Sequence, residues 1–396
     1  MALKYVDELE LNDKKVIARF DFNVPLDKND PTRITDTTRI DEALGTIEYI
    51  LLNGASKLIL MSHLGRPDGK PNPKYSLEPV AKYLAEKLKQ DVVLTESCTD
   101  AGIKTLLSLP ETKIVLLQNL RFHAEEEAND PDFCRKLASY ADIYINDAFG
   151  TAHRKHASTY GINAFFKNRN AGGFLLKREI KALEKVVENP AKPFVAIVGG
   201  AKVSDKIKII ERLLTNVNHL LIGGAMAYPF LKAKGITVGK SLCADEDVAL
   251  AKKILSHSSK TKVVLPIDHI VSSEFGGAPE VLNEENIPAD KMGLDIGPKT
   301  LELYRSKLHG AKTVLWNGPM GLFENADFAK GTMGIAHTLA ELPGAFTLVG
   351  GGDSVSAVNK SGVAEKMSHV STGGGASLEF IEDGTLPGIQ ALKFGV

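Results

Sequence analysis

The feature that most limits what this sequence can fold into is the alternation of short, almost wholly apolar runs with helical patterns from end to end. In the first half the runs are Val16–Phe20, Lys57–Met61, Ile114–Leu117 and Ile143–Ile145. In the second they are Phe194–Val198, Leu220–Ile222, Val263–Leu265, Val314–Trp316 and Phe346–Val349. Strands apolar on both faces belong in parallel sheets covered on both sides by helices. A chain of 396 residues is too long for one ordinary domain, and two such sheets fit it. The expected fold class is α/β: two Rossmann-like domains, each a parallel sheet with helices on both faces, facing each other across a cleft.

The boundary between them is legible. Leu176, Ile180, Leu183 and Val187 recur at 4-3-4 spacing, which predicts one amphipathic helix over about 173–189 that stops at Asn189-Pro190. Such a helix would join a first domain, residues 1–172, to a second, residues 190–379. No repeat of 20–50 residues and no flexible linker interrupts this plan.

Ligands of open parallel sheets sit outside the carboxyl ends of the strands, so the residues that follow each run carry the functional information. In the first half these are Asp21-Phe22-Asn23-Val24-Pro25, Ser62-His63-Leu64-Gly65-Arg66-Pro67, Gln118-Asn119-Leu120-Arg121-Phe122-His123 and the stretch Asn146 to Arg154. In the second half they are Gly199-Gly200-Ala201-Lys202, Gly223-Gly224-Ala225, Asn317-Gly318-Pro319-Met320-Gly321, Gly350-Gly351-Gly352-Asp353-Ser354 and Gly373-Gly374-Gly375. One half has charged loops and the other has glycine loops. The arginines divide the same way: nine of eleven lie at or before Arg178.

Glycine lets the backbone approach a ligand closely, and a following helix offers free N–H groups and the positive end of its dipole. The second-half loops therefore read as anion or nucleotide cradles. Lys202 and Lys206 are four apart, one turn apart and on one face if the helix has begun. Two ammonium groups there suit phosphoryl oxygens; the alternative is a lysine pair on a solvated helix. Asp353 stands where it either caps a helix or holds Mg2+ beside nucleotide phosphates. Glu324 either accepts from ribose hydroxyls or is solvated.

Two familiar nucleotide motifs are absent. Gly235 to Ser241 resembles a P-loop but has three residues between its glycines instead of four, and no strand precedes it. No Gly-x-Gly-x-x-Gly follows a strand, which counts against a hydride-transfer enzyme.

On the charged side, alternation along the first strand puts Arg19, Asp21 and Asn23 on one face. Arg39 follows the turn-rich Thr35-Asp36-Thr37-Thr38 and opens a helical pattern. His63, Arg66, Arg121 and Arg154 come from three further strand ends on the same edge. One such cation is surface decoration; four loops that each supply one predict an anion pocket. His153 and His156 flank Arg154 and serve either the pocket or the structure, while His219, His257, His269, His309, His337 and His369 form no nucleophile or metal constellation.

Composition narrows the partners. A formal net charge of −1 gives no reason to expect nucleic acid or an anionic membrane. The start, Met1 to Glu8, lacks the basic-then-apolar profile of a signal peptide, and no apolar run approaches a bilayer span. The three cysteines are scattered, as expected of a reducing cytoplasm. Nothing argues for an oligomer, so a monomer is expected.

Taken together, Arg19 to Pro25, the His63-Leu64-Gly65-Arg66-Pro67 loop, Asn146 to Arg154, Gly199 to Lys206, Trp316 to Gly321 and Gly350 to Ser354 resemble the signatures of the phosphoglycerate kinase family, in order and over nearly the whole chain. Departures are small: Phe20 stands where Val or Ile is expected, and Ser354 where Thr is common. The resemblance implies reversible Mg2+-dependent phosphoryl transfer between 1,3-bisphosphoglycerate with ADP and 3-phosphoglycerate with ATP. It implies that Asp21, Phe22, Asn23, Arg39, His63, Leu64, Gly65, Arg66, Arg121 and Arg154 bind phosphoglycerate. Lys202, Gly293, Glu324, Gly350, Gly351, Gly352 and Ser354 would bind nucleotide, with Asp353 on Mg2+ and Gly373, Gly374 and Gly375 offering an anion site at a helix N-terminus. Arg39, Lys202 and Lys206 would act on the transferring phosphoryl group. The stretch Gly384 to Leu392 is similar to the family's tail, which returns to the first domain, so residues 380–396 are expected there.

The implied acceptor is a carboxylate, already ionised at neutral pH, so no general base is required. Acceptor and nucleotide would sit on different domains, and closure from an open ground state would bring them in line. The competing reading is a non-catalytic two-lobed binding protein, which would need neither lysine nor Asp353.

Overall fold

The structure is a computed structural model that describes residues 2–257 and 262–396. The chain divides into two compact units: Met1–Lys181 with Thr385–Val396, and Ala182–Gly384.

The first unit is built on six strands, β1 (Lys15–Phe20), β2 (Lys57–Met61), β3 (Val92–Leu94), β4 (Ile114–Leu116), β5 (Ile143–Asp147) and β6 (Asn170–Gly172), in the order β3-β4-β2-β1-β5-β6. Every pairing in it is parallel. Strands β2 and β5 are buried at every position, which is why their sequences are apolar without alternation. Helix Thr38–Leu52 buries Ile40, Ala43, Ile47 and Ile50 against one face. Its start is set by Asp36, whose Oδ1 accepts from Thr38 N at 2.9 Å and from Thr38 Oγ1 at 2.6 Å. That turn places Arg39 in the first turn of the helix.

Helix Phe174–Val187 buries Leu176, Ile180, Leu183 and Val187, the residues whose spacing predicts it. Asp147, at the end of β5, anchors its start: Oδ1 accepts from Leu176 N at 2.9 Å. The division between the units falls inside this helix. Helix Pro387–Phe394 returns to the first unit, where Gly388 N donates 2.8 Å to the Ala152 carbonyl.

The second unit has β7 (Phe194–Val198), β8 (His219–Ile222), β9 (Lys262–Val264), β10 (His269–Ser272), β11 (Glu280–Leu282), β12 (Met292–Ile296), β13 (Thr313–Asn317), β14 (Phe346–Gly350) and β15 (His369–Val370). Six of them form a parallel sheet, β15-β14-β13-β7-β8-β9. The other three, β11-β10-β12, make a small antiparallel sheet that periodicity did not predict. Its strands are short, and β11 is exposed or half-buried throughout, so they lack the apolar runs of the main sheets.

Candidate active site

In the first unit the strand-end loops are tied into one another. Asn119 is fully buried and brackets the His63 loop: its Oδ1 accepts from Leu64 N at 3.2 Å and its Nδ2 donates to Leu64 O at 2.7 Å. Gly65, at φ +62°, donates its N–H to Asn23 Oδ1 at 2.8 Å and accepts from Arg121 Nη1 at 3.0 Å. With Oδ1 so engaged, Asn23 is left with Nδ2 to offer a ligand. Arg39 Nη1 reaches Asp21 Oδ2 at 2.6 Å. Burial works against ionisation of Asp21 and is outweighed by the Arg39 and Arg19 charges and the Asn23 N–H, so its carboxyl stays below the usual range.

The cations outnumber the carboxylates. Arg121 is buried and meets Glu127 at 3.3 Å, and burial lowers its pKa with help from Arg19 and Arg154, so Arg154 lies within electrostatic reach. His156 is pushed down to about 4, first by burial and then by Arg121, Arg19 and Arg154. Arg66 and Arg154 are exposed, while Phe22 and Leu64 are buried beneath the loops. Arg19, on the same strand face as Asp21 in sequence, is 1% exposed and turned inward. It belongs to the frame of the site and not to its surface.

In the second unit three glycine loops meet at the ends of β7, β13 and β14. Asn317, the last residue of β13, joins them: it accepts from Lys206 Nζ at Oδ1 and donates from Nδ2 to Gly350 O at 2.7 Å. Ser354 is fully buried, and its Oγ accepts from Gly318 N at 2.5 Å. Glycine is required twice in this packing. A Cβ on Gly351, at φ +91°, would lie 2.6 Å from Asn317 Nδ2, and one on Gly199 would lie 2.1 Å from Pro319 O.

The two lysines are not equivalent. Residues Ser204–Lys206 form a 3-10 turn and the α-helix begins only at Ile207, so one turn of α-helix does not relate them, and that condition of the sequence reading fails. Lys202 is exposed. Lys206 is half-buried, and desolvation pulls its pKa down to about 8 against the pull of Asp353 and Asp205. Asp353 is exposed in the first turn of helix Gly352–Lys360, whose N-cap is Gly351 and has no side-chain cap. Its carboxylate is therefore not spent on capping.

Glu324 is exposed. Gly293 is buried in β12: its N–H donates to Ser241 Oγ at 2.9 Å, and a Cβ there would lie 2.1 Å from Tyr228 Oη. Gly373 precedes Gly374, the N-cap of helix Gly375–Asp383, at φ +53°. Sequence reasoning passed over Asn119, Asn317, Ser158 and Glu126. An asparagine directly after an apolar run was the available sign for Asn317, and one a residue further on for Asn119. Nothing in Glu125-Glu126-Glu127 marks the middle residue as the buried one.

A family model described as phosphoglycerate kinase matches residues 6–384. A phosphoglycerate kinase of Anaeromyxobacter sp. (strain Fw109-5) is 53% identical over 400 residues, covering 99% of this chain and 100% of that one. One from Clostridium novyi (strain NT) is 50% identical and covers 98% of each. Among solved structures, phosphoglycerate kinase from Coxiella burnetii aligns with a TM-score of 0.90 at 37% identity, over 99% of both chains. That from Pyrococcus horikoshii OT3 gives 0.82 at 31%, again over 99% of both.

Proposed function

Because the chain belongs to the phosphoglycerate kinase family, we propose that the loops of its first unit hold phosphoglycerate and those of its second hold the nucleotide. The enzyme is a phosphotransferase that interconverts 1,3-bisphosphoglycerate with ADP and 3-phosphoglycerate with ATP. Asp21, the Nδ2 of Asn23 and His63 orient the glycerate end. Arg66, Arg121 and Arg154 face the 3-phosphate, where planar guanidinium forks suit its oxygens. Leu64, Gly65 and Phe22 shape the loop backbone. The observation that carries this assignment is the excess of arginine over carboxylate around Asp21 and His63.

Gly350, Gly351 and Gly352 with Ser354 cradle the nucleotide phosphates, and Gly373, Gly374 and Gly375 present backbone N–H groups at a second helix start. Gly293 and Glu324 serve the nucleoside end, Gly293 by leaving room for the Tyr228 ring. Lys202, Lys206 and Arg39 stabilise charge on the transferring group. Asp353 fits magnesium, which takes one or two carboxylates and completes its shell with phosphate and water. When bound, the ion neutralises charge on the nucleotide phosphates. The acceptor carboxylate is ionised at neutral pH, so Asp21 and His63 position it and abstract nothing. The two ligand sites belong to different units, so transfer requires closure that aligns the reacting atoms and excludes water.

We further propose that the enzyme works as a monomer in the cytoplasm, in keeping with its free, scattered cysteines. Among the described residues no helix is long and apolar enough to cross a membrane. The test is ATP consumption that requires both Mg2+ and 3-phosphoglycerate. Turnover unimpaired in Arg39→Ala or Lys206→Ala would overturn the assignment.

A further inference from the structure

A hydrogen-bonded relay runs beneath the proposed glycerate site and ends on His63. Glu126 is fully buried, and both its oxygens are used: Oε1 accepts from Ser158 Oγ at 2.6 Å and Oε2 from Ser158 N at 3.0 Å. Having donated its one proton to Glu126, the Ser158 hydroxyl accepts from Arg19 Nε at 2.9 Å. Arg19 Nη1 donates to the Phe20 carbonyl, and Nη2 stands 3.1 Å from His63 Nδ1. A guanidinium has five donors and no acceptor. His63 Nδ1 must therefore accept, which leaves its proton on Nε2.

We propose that Glu126, Ser158 and Arg19 are positioning residues that fix His63 as the neutral Nε2–H tautomer, so that it presents one hydrogen-bond donor to an acceptor oxygen of the bound acid. This rests on the reading of the first unit as the phosphoglycerate site. The surroundings agree. His63 is 4% exposed, and the groups facing it are Arg19 from β1, Asp21 from the loop after it, Arg39 from helix Thr38–Leu52 and Arg121 from the Leu120–Phe122 turn. Burial and the three arginines hold it neutral far below its usual 6.5, against Asp21 alone. Burial lowers the pKa of Arg19 and raises that of Glu126, and the two groups, joined through the Ser158 hydroxyl, each oppose the other's loss of charge. A neutral donor is also the useful state here. It binds an anion without adding a proton that the acceptor carboxylate could take.

The test uses nitrogen NMR of the full chain labelled in histidine, beside steady-state kinetics. In the wild type His63 should show an unprotonated Nδ1 and a protonated Nε2, with no titration near pH 6.5. Ser158→Ala should break the relay, mix the tautomers and raise KM for 3-phosphoglycerate about tenfold. KM for ATP should not move. Ser158→Thr, which returns the hydroxyl, should restore the wild-type values. A protonated Nδ1 in the wild type overturns the proposal without any variant. So does a folded Ser158→Ala protein with unchanged tautomer and KM, or a Ser158→Thr protein that behaves like Ser158→Ala. If the Nε2–H form is present but 3-phosphoglycerate and ATP do not react, the functional reading fails and the relay stands. Turnover with the wrong tautomer fails the relay alone.

Discussion

Lys206 donates from Nζ to Oδ1 of Asn317, and Asn317 passes the restraint on by donating 2.7 Å to the Gly350 carbonyl. A half-buried cation is thus fastened to the end of one strand and, through it, to the last residue of the next.

The first prediction concerns pH. A lysine pulled down to about 8 is charged below that value and neutral above it. The kcat/KM for nucleotide should therefore fall as pH rises through about 8, and a profile flat to pH 9.5 would count against the role of Lys206. Lys206→Met should lower kcat by about 100-fold or more while raising Tm at pH 7. The gain follows because the folded state no longer holds a desolvated charge, and it should fade as pH rises from about 8 through the ordinary lysine range, above which Lys206 is neutral in the folded and unfolded states alike.

Arg39 sits 2.6 Å from Asp21 yet keeps 39% of its side chain exposed, so it is aimed and still free to reach a ligand. Arg39→Ala should reduce kcat by about 100- to 1,000-fold with a smaller change in KM. Arg39→Lys should recover little, since a point charge replaces a fork. Single-turnover measurements separate the chemical step from binding.

Asp353 is not a cap, so Asp353→Asn should leave Tm within about 2 °C of wild type. The Mg2+ concentration for half-maximal rate should rise about tenfold or more. A variant that loses stability and keeps its Mg2+ response would return Asp353 to a structural role.

Gly351→Ala puts a methyl group against Asn317 at a backbone angle of φ +91°. The expected cost is about 1–3 kcal/mol of stability, read by urea unfolding, with KM for ATP raised and KM for 3-phosphoglycerate unchanged.

Truncation after Gly384 removes the helix whose Gly388 donates to Ala152, two residues before Arg154. KM for 3-phosphoglycerate should rise more than KM for ATP, because only the phosphoglycerate loop loses support. Equal changes in both would indicate general destabilisation.

Both parallel sheets were legible because β2, β5, β7 and β13 are buried on both faces and so read as unbroken apolar runs. Strands β6 and β15 were not, β6 being Asn-Ala-Gly and β15 two residues long, and the three apolar residues of β3 were passed over. The ligand-facing residues of the site were visible because the strand-to-loop rule marks where they fall. Their supports were less so. Arg19 and Asp21 are two residues apart, and periodicity gives them one face although the strand ends at Phe20. Only the partners Ser158 and Glu126, more than 100 residues away, turn Arg19 inward. Lys202 and Lys206 looked alike for the same reason: their difference lies in a local 3-10 turn and in Asn317, which spacing does not encode.

The return of Thr385–Val396 to the first unit also sets an order of events during synthesis. A ribosome releases residues 1–181 long before the segment that completes them, and the whole of Ala182–Gly384 must be made in between. The nascent first unit must therefore form while the Ala152 carbonyl still lacks the Gly388 N–H that caps it in the finished chain.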